Sequence, residues 1–124
     1  MNLKQVLQDD LLLLRCLTEQ DASPAYLAWL HDPEINRFLE SRFQPPRNME
    51  DLARFIAQTN KSSHTLLLGI FLQSKKQHIG NIKLGPLNRI HGLADVGFLI
   101  GSKSDWGKGY ASRAIRLVCN FGLS

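Results

Sequence analysis

The segment DWGKGYASRAIR, residues Asp105 to Arg116, places two glycines around one lysine, after a strand-like run and before a helix-like one. Glycine has no Cβ atom and adopts positive φ easily, so it suits a turn whose backbone another group approaches closely. The first N–H groups of a helix have no partners within the helix and attract anions such as phosphate. The segment therefore predicts either a plain strand-to-helix turn or an anion-binding turn to which Lys108 adds charge.

Two well-known phosphate-binding motifs do not fit this segment. The G-x-x-x-x-G-K-[ST] spacing is absent, and the dinucleotide fingerprint would need a third glycine. The two cysteines, Cys16 and Cys119, are far apart and have no metal-ligand spacing. We expect no metal site, and we interpret each cysteine as a small buried apolar residue.

Length and charge limit the classes of protein that remain. The chain has 124 residues and a formal net charge of +4, which indicates one modest domain over residues 1–124. The basic residues are scattered, so we expect no nucleic-acid partner. The longest aliphatic run, Leu11 to Leu14, is too short to span a membrane and follows two aspartates. We expect a cytoplasmic protein without a membrane partner.

Hydrophobic patterning predicts an α+β fold, with an antiparallel sheet flanked by helices. Capping signals open three helices before the central strands, and the last helix presents apolar residues to the core. The predicted strands are Leu11–Leu17, Thr65–Leu72, His78–Leu84 and Leu93–Ile100. The helices are predicted to begin at Ser23-Pro24, Asp32-Pro33, Asn48 and about Lys108, with Ile35, Phe38 and Leu39 facing inward in the second and Ala111, Ala114, Ile115, Val118 and Cys119 in the last.

The stretch WGKGYA, from Trp106 to Ala111, resembles motif A of the Gcn5-related N-acetyltransferase (GNAT) superfamily, R/Q-x-x-G-x-G/A. Gly109 and Ala111 occupy its small positions, and Trp106 stands where arginine or glutamine is usual. A tryptophan there is typical of the branch similar to ribosomal-protein-alanine acetyltransferases. Three upstream segments also occur in that branch in the same order: Leu14 to Thr18, Trp29 to Glu34 and His78 to Ile82.

The resemblance implies acetyl-coenzyme A as cosubstrate. In the family, the diphosphate lies on backbone amides of the glycine turn, and the pantetheine arm pairs like an extra strand with the fourth predicted strand. Carried over to this sequence, the cofactor-binding residues are Phe98, Leu99, Ile100, Trp106, Gly107, Lys108, Gly109, Tyr110 and Ala111.

The resemblance also directs attention to the residues that could carry acetyl transfer to an amine. Members of the branch often have an acidic residue on the fourth strand, so Asp95 is the candidate general base; the alternative is a solvated or lysine-paired charge. His91, in a loop, is a second candidate base or a solvated side chain. Trp29 and Asn81 are the candidate acceptor-binding residues. The alternative for Trp29 is core packing, and that for Asn81 is an ordinary turn or strand residue.

Two arginines near the second predicted helix give a weaker indication of a functional role. Arg42 and Arg47 are interpreted as surface charges, and the alternative is contact with an anionic acceptor.

A complete member of the family continues after the last predicted helix with a fifth strand, another helix and two more strands. This sequence ends at Ser124, so we interpret it as the N-terminal part of such a fold, and the family's tyrosine general acid would lie beyond it. We expect the chain alone to have little activity and to associate through the exposed edge of Leu93 to Ile100. Two functions remain: acetylation of a primary amine (a protein N-terminus, an amino sugar or a small amine), or a non-catalytic module that binds coenzyme A or another protein.

Overall fold

The computed structural model describes residues 5–36, 45–62, 65–85, 96–101 and 103–121. Its strands form one antiparallel sheet in chain order, β1-β2-β3-β4-β5, with helices on both faces. The strands are β1 (Leu7–Gln8), β2 (Leu12–Cys16), β3 (Leu66–Leu72), β4 (Gln77–Leu84) and β5 (Val96–Ile100). The predicted α+β class and antiparallel meander are confirmed. Strand β1 was not predicted, because two residues are too few to show an alternating pattern.

The predicted capping signals begin the first three helices, α1 (Pro24–His31), α2 (Pro33–Asn36) and α3 (Met49–Lys61). The Ser23 hydroxyl accepts a hydrogen bond from the Tyr26 N–H at 3.0 Å. The Asn48 side-chain oxygen accepts one from the Asp51 N–H at 2.8 Å. Each oxygen satisfies a donor that the helix leaves unpaired, as the sequence predicted. Ile35 is buried as expected, whereas residues 38 and 39 lie outside the described residues.

The sheet separates two hydrophobic cores. Helices α1, α2 and α3 cover one face with a cluster that includes Leu17, Tyr26, Leu30, Ile35, Leu52, Ile56, Leu67, Phe71 and Leu99. The last helix, α4 (Tyr110–Phe121), covers the other face with Ala114 and Val118. Strand β3 is buried along its whole length, which explains its continuous run of apolar residues.

A β-bulge in β4 places Ile79 and Ile82 on the same face of the sheet. Ile70 pairs with Gly80 while Phe71 pairs with His78, so Ile79 is the extra residue. Strict alternation would place Ile79 and Ile82 on opposite faces, yet both lie in the core beneath α4. The bulge therefore turns His78 to the α1 side of the sheet.

Helix α4 corrects two details of the prediction. It begins at Tyr110, two residues after the expected start, because Gly107 and Gly109 have the positive φ angles of a turn. Cys119 was predicted to face the core, but it is exposed, whereas Val118 beside it is buried. A helix turns about 100° per residue, so adjacent positions cannot both face the core directly. Cys16 is buried as expected.

Candidate functional site

A cleft of about 360 Å³ runs along the outer edge of β5 and ends at the start of α4. We call it the edge cleft. Strand β5 contributes Phe98, Leu99 and Ile100, and α2 contributes Glu34 and Ile35 from the facing side. Strand β4 pairs with one edge of β5, and none of the described strands lies along the other edge. The predicted strand residues therefore line a groove whose wall is the edge of a sheet.

The glycine turn forms the far end of the edge cleft. Gly107 and Gly109 have φ angles of 82° and 78°, and both line the cleft together with Tyr110 and Ala111. A Cβ atom at either glycine would meet nothing within 4 Å, so neither glycine is required by internal packing. The Gly109 carbonyl accepts the first hydrogen bond of α4, from the Arg113 N–H at 3.0 Å. The first-turn N–H groups of α4 thus lie where the cleft ends.

Trp106 fastens this turn to the end of β5. Its indole Nε1–H donates a hydrogen bond to the Ile100 carbonyl at 2.8 Å. Its backbone N–H donates to the Lys103 carbonyl at 3.1 Å. The side chain is still 40% exposed and lines the edge cleft. The Trp106 side chain therefore links the turn to β5 through a hydrogen bond and also contributes exposed surface to the edge cleft.

Ion pairs balance the charges around the edge cleft. The Lys108 ammonium lies 3.3 Å from the Asp105 carboxylate, and Lys108 itself is not part of the cleft lining. Lys103 contacts Asp32 at 3.2 Å and Glu34 at 3.5 Å, which joins α2 and the residue before it to the loop after β5. The hydrogen bond from Lys103 lowers the pKa of Asp32, and the same bond raises the pKa of Lys103.

Trp29, a predicted acceptor-binding residue, packs behind the edge cleft and does not line it. Its ring lies directly on the backbone of Gly101, and a Cβ atom at Gly101 would overlap the ring. The ring centroid is 5.1 Å from that of His78 and 5.9 Å from that of Tyr26. Together with Phe71, these side chains form what we call the aromatic cluster: Tyr26, Trp29, Phe71 and His78.

Asn81, the other predicted acceptor-binding residue, is 4% exposed and hydrogen bonded within this region. Its side-chain oxygen lies 2.7 Å from His78 Nε2. Burial lowers the pKa of His78, and the bond to Asn81 opposes this effect. Burial also raises the pKa of Tyr26 well above its usual range, against a smaller opposing effect of Asn81. The acceptor-binding roles of Trp29 and Asn81 stay predictions.

His78 was not identified from the sequence, because its orientation depends on the bulge at Ile79. It stacks on Phe71 with ring centroids 4.9 Å apart. Arg15 completes the arrangement from β2: its guanidinium lies 4.3 Å from the Phe71 ring centroid and binds Asp21 through two hydrogen bonds of 2.9 Å. In the sequence, the one indication that Arg15 has a special role is that it interrupts the otherwise apolar strand.

Several predicted residues fall outside the described residues. The candidate bases Asp95 and His91 are among them, as is Arg42, so their roles stay predictions. Arg47 lies on the surface and pairs with Asp51 at 3.0 Å, as its interpretation as a surface charge requires. No group of three potential metal-binding side chains occurs in the described ranges. None of the described helices could cross a membrane.

Comparison with known proteins identifies the relatives of this arrangement. The model of the acetyltransferase (GNAT) domain family matches residues 12–124. The chain is 23% identical to the protein named uncharacterized N-acetyltransferase p20 of Bacillus licheniformis, covering 97% of this chain and 67% of that protein. It is 28% identical to the protein named uncharacterized N-acetyltransferase YoaA of Bacillus subtilis, covering 96% and 67%. The chain thus spans about two thirds of the length of these relatives.

Solved structures share the fold at low sequence identity. A structure titled probable acetyltransferase superposes with a TM-score of 0.79 at 18% identity, over 97% of this chain and 68% of that one. An acetyl transferase from Salmonella typhimurium, described as modifying the N-terminal serine of a 50S ribosomal subunit protein, gives 0.73 at 16% identity, over 94% and 67%. These similarities establish the fold.

Proposed function

Because the chain belongs to the GNAT family of acetyltransferases, we propose that it transfers the acetyl group of acetyl-coenzyme A to a primary amine. The observation that supports this best is the continuity of the edge cleft. One groove joins the outer edge of β5 to the start of α4 and contains Gly107 and Gly109, two glycines with positive φ. Such a groove suits an elongated cosubstrate with a diphosphate at its centre.

The two ends of the groove favour different parts of the cosubstrate. At the turn, the N–H groups at the start of α4 would bind the diphosphate, and Gly107 and Gly109 let its oxygens approach the backbone. Along β5, the outer N–H and C=O groups of the strand would pair with the amides of the pantetheine arm, as an added strand does. Phe98 and Ile100 supply apolar surface beside it.

The acetyl transfer itself needs a base, a polarised carbonyl and a proton for the leaving thiolate. The neutral amine attacks the thioester carbon, the C–N bond forms and the C–S bond breaks, and the proton that the attacking nitrogen loses ends on the coenzyme A thiolate. An arm that runs from the turn along β5 leads toward Val96, and Asp95 immediately precedes that residue. We propose Asp95 as the base that removes the ammonium proton, directly or through water, and a backbone N–H as the group that polarises the carbonyl.

The experiment that tests this function measures binding and transfer separately. Calorimetry with acetyl-coenzyme A reports binding, and mass spectrometry reports acetylation of three acceptors: a peptide N-terminus, an amino sugar and a small polyamine. We expect binding together with acetylation of at least one acceptor class. If coenzyme A does not bind, the proposal is wrong. Binding without transfer to any acceptor supports the non-catalytic alternative.

The role of Asp95 has its own test. We expect Asp95→Asn to lower kcat by roughly 10²–10⁴-fold, the usual share of general acid–base catalysis, while leaving the affinity for acetyl-coenzyme A unchanged. His91→Asn is the matched control, because it removes the other candidate base. If Asp95→Asn has the parent rate and pH profile, Asp95 is a surface charge.

The alternative, a module that works by binding or assembly, is favoured by the outer edge of β5. A strand edge with unpaired backbone groups readily pairs with another strand. Under this alternative, the chain of residues 1–124 associates through this edge and has little activity alone. Light scattering over a range of concentrations, combined with the acetylation assay, tests both statements. A compact monomer that turns over acetyl-coenzyme A contradicts them.

A further inference from the structure

A second, smaller cleft of about 160 Å³ lies next to the glycine turn. We call it the hairpin cleft, because the β3–β4 turn contributes Ser74 and Lys75. The loop between β1 and β2 contributes Asp10, and the start of α4 contributes Tyr110. Lys108 also lines this cleft, whereas Gly107 and Gly109 line the edge cleft.

The two clefts meet at the glycine turn. Asp105 and Tyr110 line both of them, so a molecule whose centre lies on the turn can reach into each. Their chemistry differs. The edge cleft has apolar side chains along β5 beside the carboxylates of Glu34 and Asp105, whereas the hairpin cleft has hydroxyl groups, carboxylates and two ammonium groups beside Leu11 and Leu72.

The charges in the hairpin cleft are paired except at one position. The Asp10 carboxylate accepts a hydrogen bond from Arg113 at 3.0 Å, and Asp105 lies 3.3 Å from Lys108. Within the part of the chain that the structure describes, no carboxylate forms an ion pair with Lys75. Lys75 is therefore the cation that can bind an incoming anion without first breaking an ion pair.

We infer that the hairpin cleft binds the nucleotide end of the cosubstrate and that Lys75 recognises the phosphate on its ribose. This inference rests on the proposed function. Coenzyme A carries its diphosphate between an amphipathic arm and an adenosine with a 3′-phosphate. With the diphosphate on the turn and the arm in the edge cleft, the hairpin cleft is the adjoining site with polar groups for the nucleotide. Its carboxylates can accept hydrogen bonds from the adenine amino group, and Lys75 supplies the positive charge.

The test compares coenzyme A with dephospho-coenzyme A, which lacks only the ribose phosphate. Calorimetry at low salt measures both dissociation constants for the parent chain, Lys75→Met and Lys76→Met. Lys76 is the matched control, since it is an exposed lysine of the same turn and does not line the cleft. We expect the parent to prefer coenzyme A by roughly three- to tenfold, and Lys75→Met to reduce this preference to about one.

The control and the second ligand separate the ways in which the inference can fail. Lys76→Met should keep the parent preference, and Lys75→Met should bind dephospho-coenzyme A as the parent does. If coenzyme A binds but Lys75→Met keeps the preference, the inference is wrong and the proposed function stands. If Lys75→Met and Lys76→Met lose the preference for coenzyme A equally, the inference is also wrong, because long-range charge would then explain the preference. If neither ligand binds any of the three chains, the proposed function itself fails.

Discussion

Gly101 and Gly109 lie at opposite ends of the segment that joins β5 to α4, and their surroundings differ. Gly101 is buried beneath the Trp29 ring, where a Cβ atom has no room, and its backbone conformation is one that other residues adopt. Gly109 is exposed, has open space around it and has a φ of 78°. Packing against Trp29 thus requires glycine at position 101, whereas the positive φ angle favours glycine at position 109. The segment is therefore anchored by packing at one end and presents accessible backbone at the other.

The largest expected effect is at the packed end. Gly101→Ala should lower the free energy of unfolding by about 2–3 kcal/mol, because the new methyl group overlaps the Trp29 ring. Urea unfolding measures the change. In a Trp29→Ala background the same substitution should cost much less, since the overlapping ring is gone. Equal costs in both backgrounds would show that the Trp29 contact is not the reason for this glycine.

At the open end we expect a loss of binding larger than the loss of stability. Gly109→Val should reduce the affinity for coenzyme A at least roughly tenfold by obstructing the backbone. Because valine disfavours the left-handed φ of this position, the substitution should also lower the free energy of unfolding by about 1–2 kcal/mol. Calorimetry and urea unfolding measure the two effects. Gly109→Asn is the control for strain, because asparagine tolerates positive φ. If Gly109→Asn binds like the parent and Gly109→Val does not fold, strain explains the glycine without a ligand.

The smallest expected effect is the pH dependence of the aromatic cluster. The pKa of His78 is lowered in the folded chain, so the unfolded chain binds the proton first as pH falls. The free energy of unfolding should therefore decrease as pH falls below about 6.5, until the lower folded pKa is reached. Urea unfolding at several pH values measures this slope. His78→Phe keeps a ring against Phe71 but does not titrate, and it should remove the His78 share of the slope. An unchanged slope would assign the pH dependence to other groups.

The sequence predicted the parts of the fold whose signals are local. Ser23 and Asn48 were recognised as caps because a helix start needs an acceptor within a few residues. The glycine turn was recognised by its resemblance to motif A, and its conformation agrees with that expectation. The arrangement of Asn81, His78 and Tyr26 could not be predicted, because it depends on one extra residue in β4 and on how α1 packs over the sheet.

The chain contains two tryptophans, and each lies in one of the regions compared above. Trp29 touches His78 within the aromatic cluster, while Trp106 lines the edge cleft and is 40% exposed. Intrinsic fluorescence therefore carries two separable signals. With Trp106→Phe, the remaining emission reports protonation and packing around His78. With Trp29→Phe, it reports solvent and ligand at the glycine turn, so the two ends of one short segment can be followed independently without an added label.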